Sequence, residues 1–380
     1  MRTPVSRCSI PVKNKAIAHI YIPAVAFPAP SPVTFAPHSR LTEKTILIAH
    51  TMLTGMIGNT PLVYLKQVSE QTGCDIYGKA EFLNPGGSIK DRTALGIIQD
   101  AEAKGDLKPG GVIVEGTAGN TGIGLTLIAN ALGYRSVVVM PQSQSTEKIE
   151  LLDLYGADLY LVPATGYEDP NHYIHTARRK AHKLAEKEPN GVVWAGQFDN
   201  LANMDIHYRT TGAEIWDQTE GKVDGFICAV GTGGTLAGVS NYLKEKNPDV
   251  LIGLADPEGS ALCSYHSTGE LMSEGSSIAE GIGIGFLTEN YRQARVDSAY
   301  TVSDKEALPY IFNLLKHEGL CLGGSSAINI AGAVRLAKEL GPGHKIVTIL
   351  CDYGTRYHSN LYNSVFLKRR NLPFPDWMRD

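Results

Sequence analysis

The stretch VIVEGTAGNTGIGLTLIANALG, Val112–Gly133, passes from β-branched residues through a turn of glycine, threonine and asparagine into a helical period. A short apolar run that ends in a glycine-rich turn, followed by apolar residues three and four apart, reads as a strand leading into a helix. The pattern recurs. Ser136–Met140 is followed by PQSQSTEKIELLDLYG, and Val193–Ala195, Gly225–Val230 and Lys345–Leu350 are further apolar runs with polar or glycine turns at their C-terminal ends. Strands alternating with helices predict an α/β fold with mostly parallel sheets flanked by helices. In such sheets ligands bind beyond the carboxyl ends of the strands, so these turns should carry the chemistry.

The whole chain fits that class. Its 380 residues suffice for two domains, and 43% hydrophobic and 19% charged residues are the proportions of a globular protein. We expect an N-terminal extension over 1–50, an N-terminal domain over 51–200, a C-terminal domain over 201–367 and a basic tail over 368–380. A net charge of −4 offers no basic field for nucleic acid. Six cysteines, Cys8, Cys74, Cys228, Cys263, Cys321 and Cys351, stand singly and read as buried thiols of a reducing compartment. His172 and His175 are the closest histidine pair and read as surface residues, so no metal site is expected. Residues 1–42 contain no acid, five basic residues and seven prolines. That composition fits an organelle transit peptide, hence a mitochondrial address with a cytoplasmic alternative, and equally a disordered extension. No apolar run there suits a transmembrane helix.

Three turns and one serine stand out. In CAVGTGGTLAGVSNYL, Gly231, Thr232, Gly233, Gly234 and Thr235 lead into a helix, so several backbone N–H groups and two hydroxyls can face one phosphate. The turn has neither the lysine of a Walker A loop nor the GxGxxG spacing, and a purely structural turn stays open. In EGTAGNTGIGL, Thr117, Gly119, Asn120 and Thr121 offer directed donors suited to a small carboxylate, or simply an N-cap at Thr121. In NPGGSIKDRTA, Lys90 lies at a helix start between Ser88 and Asp91, potential caps, where the helix dipole favours the neutral amine. Such a lysine is either a surface charge or a nucleophile toward carbonyls. Ser325, in EGLCLGGSSAINIAGAV, is a cap or a spare hydroxyl.

An imine-forming lysine, a phosphate cup without nucleotide signatures, a carboxylate loop and a free hydroxyl together describe pyridoxal 5'-phosphate and an amino acid. The chain resembles the cysteine synthase (O-acetylserine sulfhydrylase) and cystathionine β-synthase family, the fold type II, tryptophan synthase β-like pyridoxal-phosphate enzymes. The resemblance spans about residues 56 to 360 and rests on five separated motifs in the family's order.

The resemblance implies a catalytic role for Lys90, which would hold the cofactor as an imine, and cofactor contacts from Asn120, Gly231, Thr232, Gly233, Gly234, Thr235 and Ser325. It implies substrate-carboxylate contacts from Thr117, Gly119, Thr121 and Gln197, with EGIGIGF, Glu280–Phe286, bordering the mouth and Asp352 or Tyr353 near the pyridine ring. Gly86 and Gly87 would leave room for a flat cofactor. It further implies that β-replacement converts O-acetyl-L-serine and sulfide into L-cysteine through an aminoacrylate. Residues of about 133–181 would close over the site, the protein would be a homodimer, and the tail of serine acetyltransferase would be a partner. The departure is Ala118, which stands where the family's TSGNTG loop has a serine. Alternatives within the fold are cystathionine synthesis, an amine nucleophile or serine/threonine deamination; of a different functional class is an inactive homologue that binds serine acetyltransferase.

Overall fold

The structure, a computed structural model, describes residues 52–378; the expectations for the leader fall outside them. Among the described residues ten strands form two sheets: β1 (Leu62–Tyr64), β2 (Asp75–Ala80), β3 (Val112–Gly116), β4 (Arg135–Pro141), β5 (Asp158–Val162), β6 (Val192–Trp194), β7 (Gly225–Cys228), β8 (Leu251–Pro257), β9 (Ser298–Val302) and β10 (Lys345–Leu350). The four-stranded sheet has the order β5-β4-β3-β6 and is parallel throughout. The six-stranded sheet has the order β1-β2-β10-β7-β8-β9, and only the β1–β2 pair is antiparallel.

Alternation along the strands explains how each sheet is covered on both faces. Ile113 packs with residues of the Lys90–Lys104 and Asn120–Leu132 helices, whereas Val112 and Val114 face Ala177 and Ala181 of the Tyr173–Ala185 helix. Side chains on a strand point to opposite faces at successive positions, so a strand buried on both faces must be apolar throughout. The larger sheet repeats this: Ile76, Ile227 and Ile346 face the Asp304–Glu318 and Gly324–Leu340 helices, while Phe226, Cys228 and Val347 face Leu236, Val239 and Leu243 of the Gly234–Lys246 helix.

The sheets do not divide the chain at residue 200. β1 and β2 precede the small sheet in sequence yet lie in the large one, because β2 pairs in parallel with β10 from Asp75↔Lys345 to Ala80↔Leu350. A second tie runs beside it, where Ile89 N–H donates to the Cys351 carbonyl at 3.0 Å. The chain therefore crosses from the large sheet to the small one at residues 84–90, which puts Lys90 at the seam.

Candidate active site

Lys90 opens the Lys90–Lys104 helix, and its backbone N–H donates to Ser88 Oγ at 3.2 Å. Asp91 reaches backward and accepts from Gly86 N–H at 2.5 Å. Neither Gly86 nor Gly87 makes room for a ligand: a Cβ at Gly86 would strike the Asp91 carboxylate, and one at Gly87, where φ is +70°, would strike Arg356. Those glycines let the turn fold tightly and deliver Lys90 into a cavity of about 220 Å³. Burial pushes the Lys90 ammonium down toward the neutral amine, with Lys148 adding to the effect against the pull of Cys351 and Asp352.

The cavity brings together Lys90, Thr117, Gly119, Asn120, Thr121, Gln197, Gly231, Thr232, Gly233, Thr235 and Ser325 from both halves of the chain. Gly234, expected in the phosphate cup, does not line it; a Cβ there would run into the Asn203 side chain. The turn after β7 needs its glycines. Gly231 has no room for a Cβ beside the Gly281 carbonyl, and Gly233 sits at φ +88° against the Tyr291 backbone. Thr232 Oγ1 accepts from Asn203 Nδ2 at 2.8 Å, and Thr235 Oγ1 lies 3.3 Å from His207 Nε2. Burial holds His207 well below the usual histidine range, so this ring is neutral. Among the described residues Glu280 is the only acid lining the cavity, and it is paired with Lys148. The first N–H groups of the Gly234–Lys246 helix have no intrahelical acceptors, which leaves the turn open to an anion.

The turn after β3 departs from the expected N-cap. Gly119 is the cap residue, at φ +132°, and Thr121 instead donates to Gln197 Oε1 at 2.6 Å. Gln197 Nε2 donates to Glu115 Oε1 at 3.1 Å and to the Gly116 carbonyl at 3.2 Å. Glu115 is buried, its Oε2 has no partner, and burial pushes its carboxyl up to about 8.

Asn120 donates to Asp352 Oδ2 at 2.6 Å and accepts from Arg356 Nη1 at 2.6 Å. Asp352 and Tyr353 do not line the cavity: Asp352 is tied up with Asn120 and Tyr357, and Tyr353 packs on Phe82. Cys351 lines it instead, facing inward because successive residues at a strand end point to opposite sides. Its sulfur accepts from Asn329 Nδ2 at 3.3 Å, its N–H donates to Ser326 Oγ at 2.9 Å, and burial pushes its thiol up to about 11. Ser326 therefore braces Cys351, and Ser325 beside it is left facing the cavity without capping the helix.

Several participants were missed. Lys148 and Cys228 line the cavity too, although Lys148 carries no motif signal within PQSQSTEKIELLDLYG and Cys228 fits the reading of a buried thiol. Glu280 was visible only as the first residue of EGIGIGF. His172 is buried, not a surface residue; it caps the Tyr173–Ala185 helix with Nδ1 accepting from Ile174 N–H at 3.4 Å. Behind Phe198, which lines the cavity, Phe286 lies at 5.6 Å and stacks in turn on Tyr167 at 4.4 Å.

The donor set fits pyridoxal phosphate. A glycine cup with a helix N-terminus and two hydroxyls suits the phosphate, a lysine inclined to the neutral amine suits the aldehyde, and the neutral Ser325 hydroxyl suits an unprotonated ring nitrogen.

Comparison with known proteins agrees. The sequence family described as pyridoxal-phosphate dependent enzyme matches residues 53–352. The chain is 52% identical over 325 residues to cysteine synthase 1 of Neurospora crassa, covering 84% of this chain and 85% of that protein. It is 47% identical over 330 residues to the cysteine synthase of Dictyostelium discoideum, covering 84% and 86%. Among solved structures, O-ureido-L-serine synthase superposes with a TM-score of 0.74 at 35% identity, covering 83% of this chain and 96% of that one.

Proposed function

The chain belongs to the cysteine synthase family of pyridoxal-phosphate dependent enzymes, and on that premise we propose that it makes L-cysteine from O-acetyl-L-serine and sulfide. The observation that carries this reading is the convergence of Lys90, the Gly231–Thr235 turn and the Thr117–Thr121 loop on one cavity. Relatives named cysteine synthase support the choice of reaction within the family.

Bound in the cavity, pyridoxal phosphate supplies the electron sink that makes the α-proton of an amino acid acidic and lets a β-substituent depart. The chain's own residues do the rest. Backbone N–H groups and hydroxyls of Gly231–Thr235 hold the phosphate, with Thr232 and Thr235 oriented by Asn203 and His207. Ser325 offers the ring nitrogen a hydroxyl and no carboxylate, which keeps the sink modest and suits elimination over transamination. Asn120 braces the ring oxygen. The Lys90 amine, when free, would take the α-proton as general base; acetate would leave Cβ with the bonding pair, hydrosulfide would add there, and the proton held on Lys90 would return to Cα. Thr117 and Gly119 offer the carboxylate its donors, Thr121 and Gln197, bonded to each other, hold the loop that presents them, and Phe198, backed by Phe286 and Tyr167, walls the cavity against water that would compete with sulfide.

Closure of residues 133–181 over the site, a homodimer and docking of a serine acetyltransferase tail at the mouth belong to the same reading. So does a mitochondrial address, supported by the acid-free leader. The decisive experiment is a donor and nucleophile panel. Release of L-cysteine from O-acetyl-L-serine and sulfide, above cystathionine from homocysteine or pyruvate from water, is expected; predominant pyruvate overturns it.

A further inference from the structure

Lys148 enters the cavity from the Thr146–Leu154 helix, and no role has been given to it. Its stem lies on the loop after β3: a Cβ at Gly119 would come within 2.6 Å of Lys148 Cδ. Its side chain is 1% exposed, so the ammonium must be satisfied by what surrounds it. One N–H meets Glu280 Oε2 at 2.7 Å, and the Tyr357 ring lies 4.6 Å from Nζ. An ammonium has three N–H donors, and among the described residues no further acceptor engages it.

The carboxylate loop, in contrast, is short of donors. Ala118 has no hydroxyl, Thr121 Oγ–H is committed to Gln197, and both N–H groups of the Gln197 amide are committed to Glu115 and Gly116. Thr117 and backbone N–H groups remain. A buried carboxylate needs a countercharge, and among the described residues the only cationic side chains lining the cavity are Lys90, whose chemistry needs the neutral amine, and Lys148.

We propose that Lys148 is a substrate-binding residue whose ammonium takes the α-carboxylate of the amino-acid substrate, supplying the donor that Ala118 lacks. Glu280 holds the ammonium over the loop before substrate arrives. It is not left bare when Lys148 turns, because Asn360 Nδ2 donates to its Oε1 at 3.2 Å, and Gln144, with its amide nitrogen toward both acceptors, reaches Glu280 Oε2 at 3.2 Å and the Ala118 carbonyl at 3.0 Å.

The assignment rests on the amino-acid substrate of the proposed function, and its test is separable from that function. Calorimetry on the cofactor-loaded protein measures binding of L-alanine, which has no leaving group at Cβ, and of L-alaninamide, which lacks the carboxylate. Lys148→Met weakens L-alanine about tenfold or more, the worth of one charged hydrogen bond, and leaves L-alaninamide within about twofold of the parent. Lys148→Arg keeps most of the L-alanine affinity, and guards against a misfolded methionine variant. Glu280→Gln leaves L-alanine binding unchanged or tighter, since it frees the ammonium. Equal weakening of both ligands by Lys148→Met, no weakening of either, or a loss in Glu280→Gln matching that in Lys148→Met assigns the residue a structural role and overturns the proposal. Failure of the parent protein to bind L-alanine overturns it too. Binding of L-alanine without cysteine formation sinks the reaction and leaves the Lys148 assignment standing.

Discussion

Asn120 Nδ2 and Asp352 Oδ2 lie 2.6 Å apart although 232 residues separate them in the chain. Asn120 begins the helix that follows β3 of the small sheet, and Asp352 follows β10 of the large one, so this bond pins the two sheets together beside the cavity. Tyr357 Oη donates to the same oxygen at 2.5 Å. Asp352→Ala leaves these two donors without their acceptor, at ~1–3 kcal/mol for each that stays buried. Urea unfolding should show a loss of roughly 2 kcal/mol or more; an unchanged midpoint refutes the pinning role.

Lys90→Ala should fold and bind the phosphate group, yet borohydride should no longer fix the cofactor to the chain, and turnover should fall by orders of magnitude. Because burial lowers the Lys90 pKa, its neutral amine persists below the ordinary lysine value of about 10.4. In the cofactor-free protein, an aldehyde with borohydride should therefore label Lys90 ahead of the exposed lysines at neutral pH. Mass spectrometry of the labelled peptides decides this.

Glu115 gives stability a pH dependence of definite sign. Its folded carboxyl is raised to about 8 from 4.5, so the folded state holds a proton that the unfolded state has released. Stability from this group is full below about 4.5, falls as pH rises through the window to about 8, and then levels. Across that window, stability falls by ~1.4 kcal/mol for each pH unit gained. Glu115→Gln, neutral at every pH, should match the parent near pH 4.5 and exceed it above pH 8. Parallel stability curves for the two proteins would remove Glu115 from the account.

Arg92 forms a two-pronged pair with buried Glu81, Nε to Oε2 at 2.8 Å and Nη2 to Oε1 at 2.8 Å, and also reaches Glu214. Arg92→Met should cost ~3–5 kcal/mol, since it strands the Glu81 charge in a site with 0% exposure. The double change Arg92→Met with Glu81→Leu should recover much of it. Thermal unfolding of both variants measures the difference, and a single variant as stable as the parent contradicts the argument.

Much of this protein was legible in the chain. Lys345–Leu350 was bounded to the residue as β10, and Ser136–Met140 within a residue of each end as β4, because strands buried on both faces must be apolar without interruption. The turns after β3 and β7 could be read as ligand sites because glycine and hydroxyl residues at a helix start have few other uses in such numbers.

Other features depended on which distant segments meet. β1 and β2 joined the far sheet through pairing with β10, a contact between residues about 270 apart that no local period encodes. Asp352 and Cys351 exchanged their expected places because the pleat at the end of β10, not the residue type, chose which side chain faces inward. Nothing local marks Lys148 as a cavity residue, and Glu280 stands only as the first residue of EGIGIGF; packing over Gly119 and beside Gln144 and Asn360 brings the two together in the cavity. The sequence by itself determined the strand and helix periods and the chemistry of the turns, since these follow from neighbours in the chain. The tertiary structure decided which charges lost their water, because burial is a property of what packs above a residue and not of what precedes it.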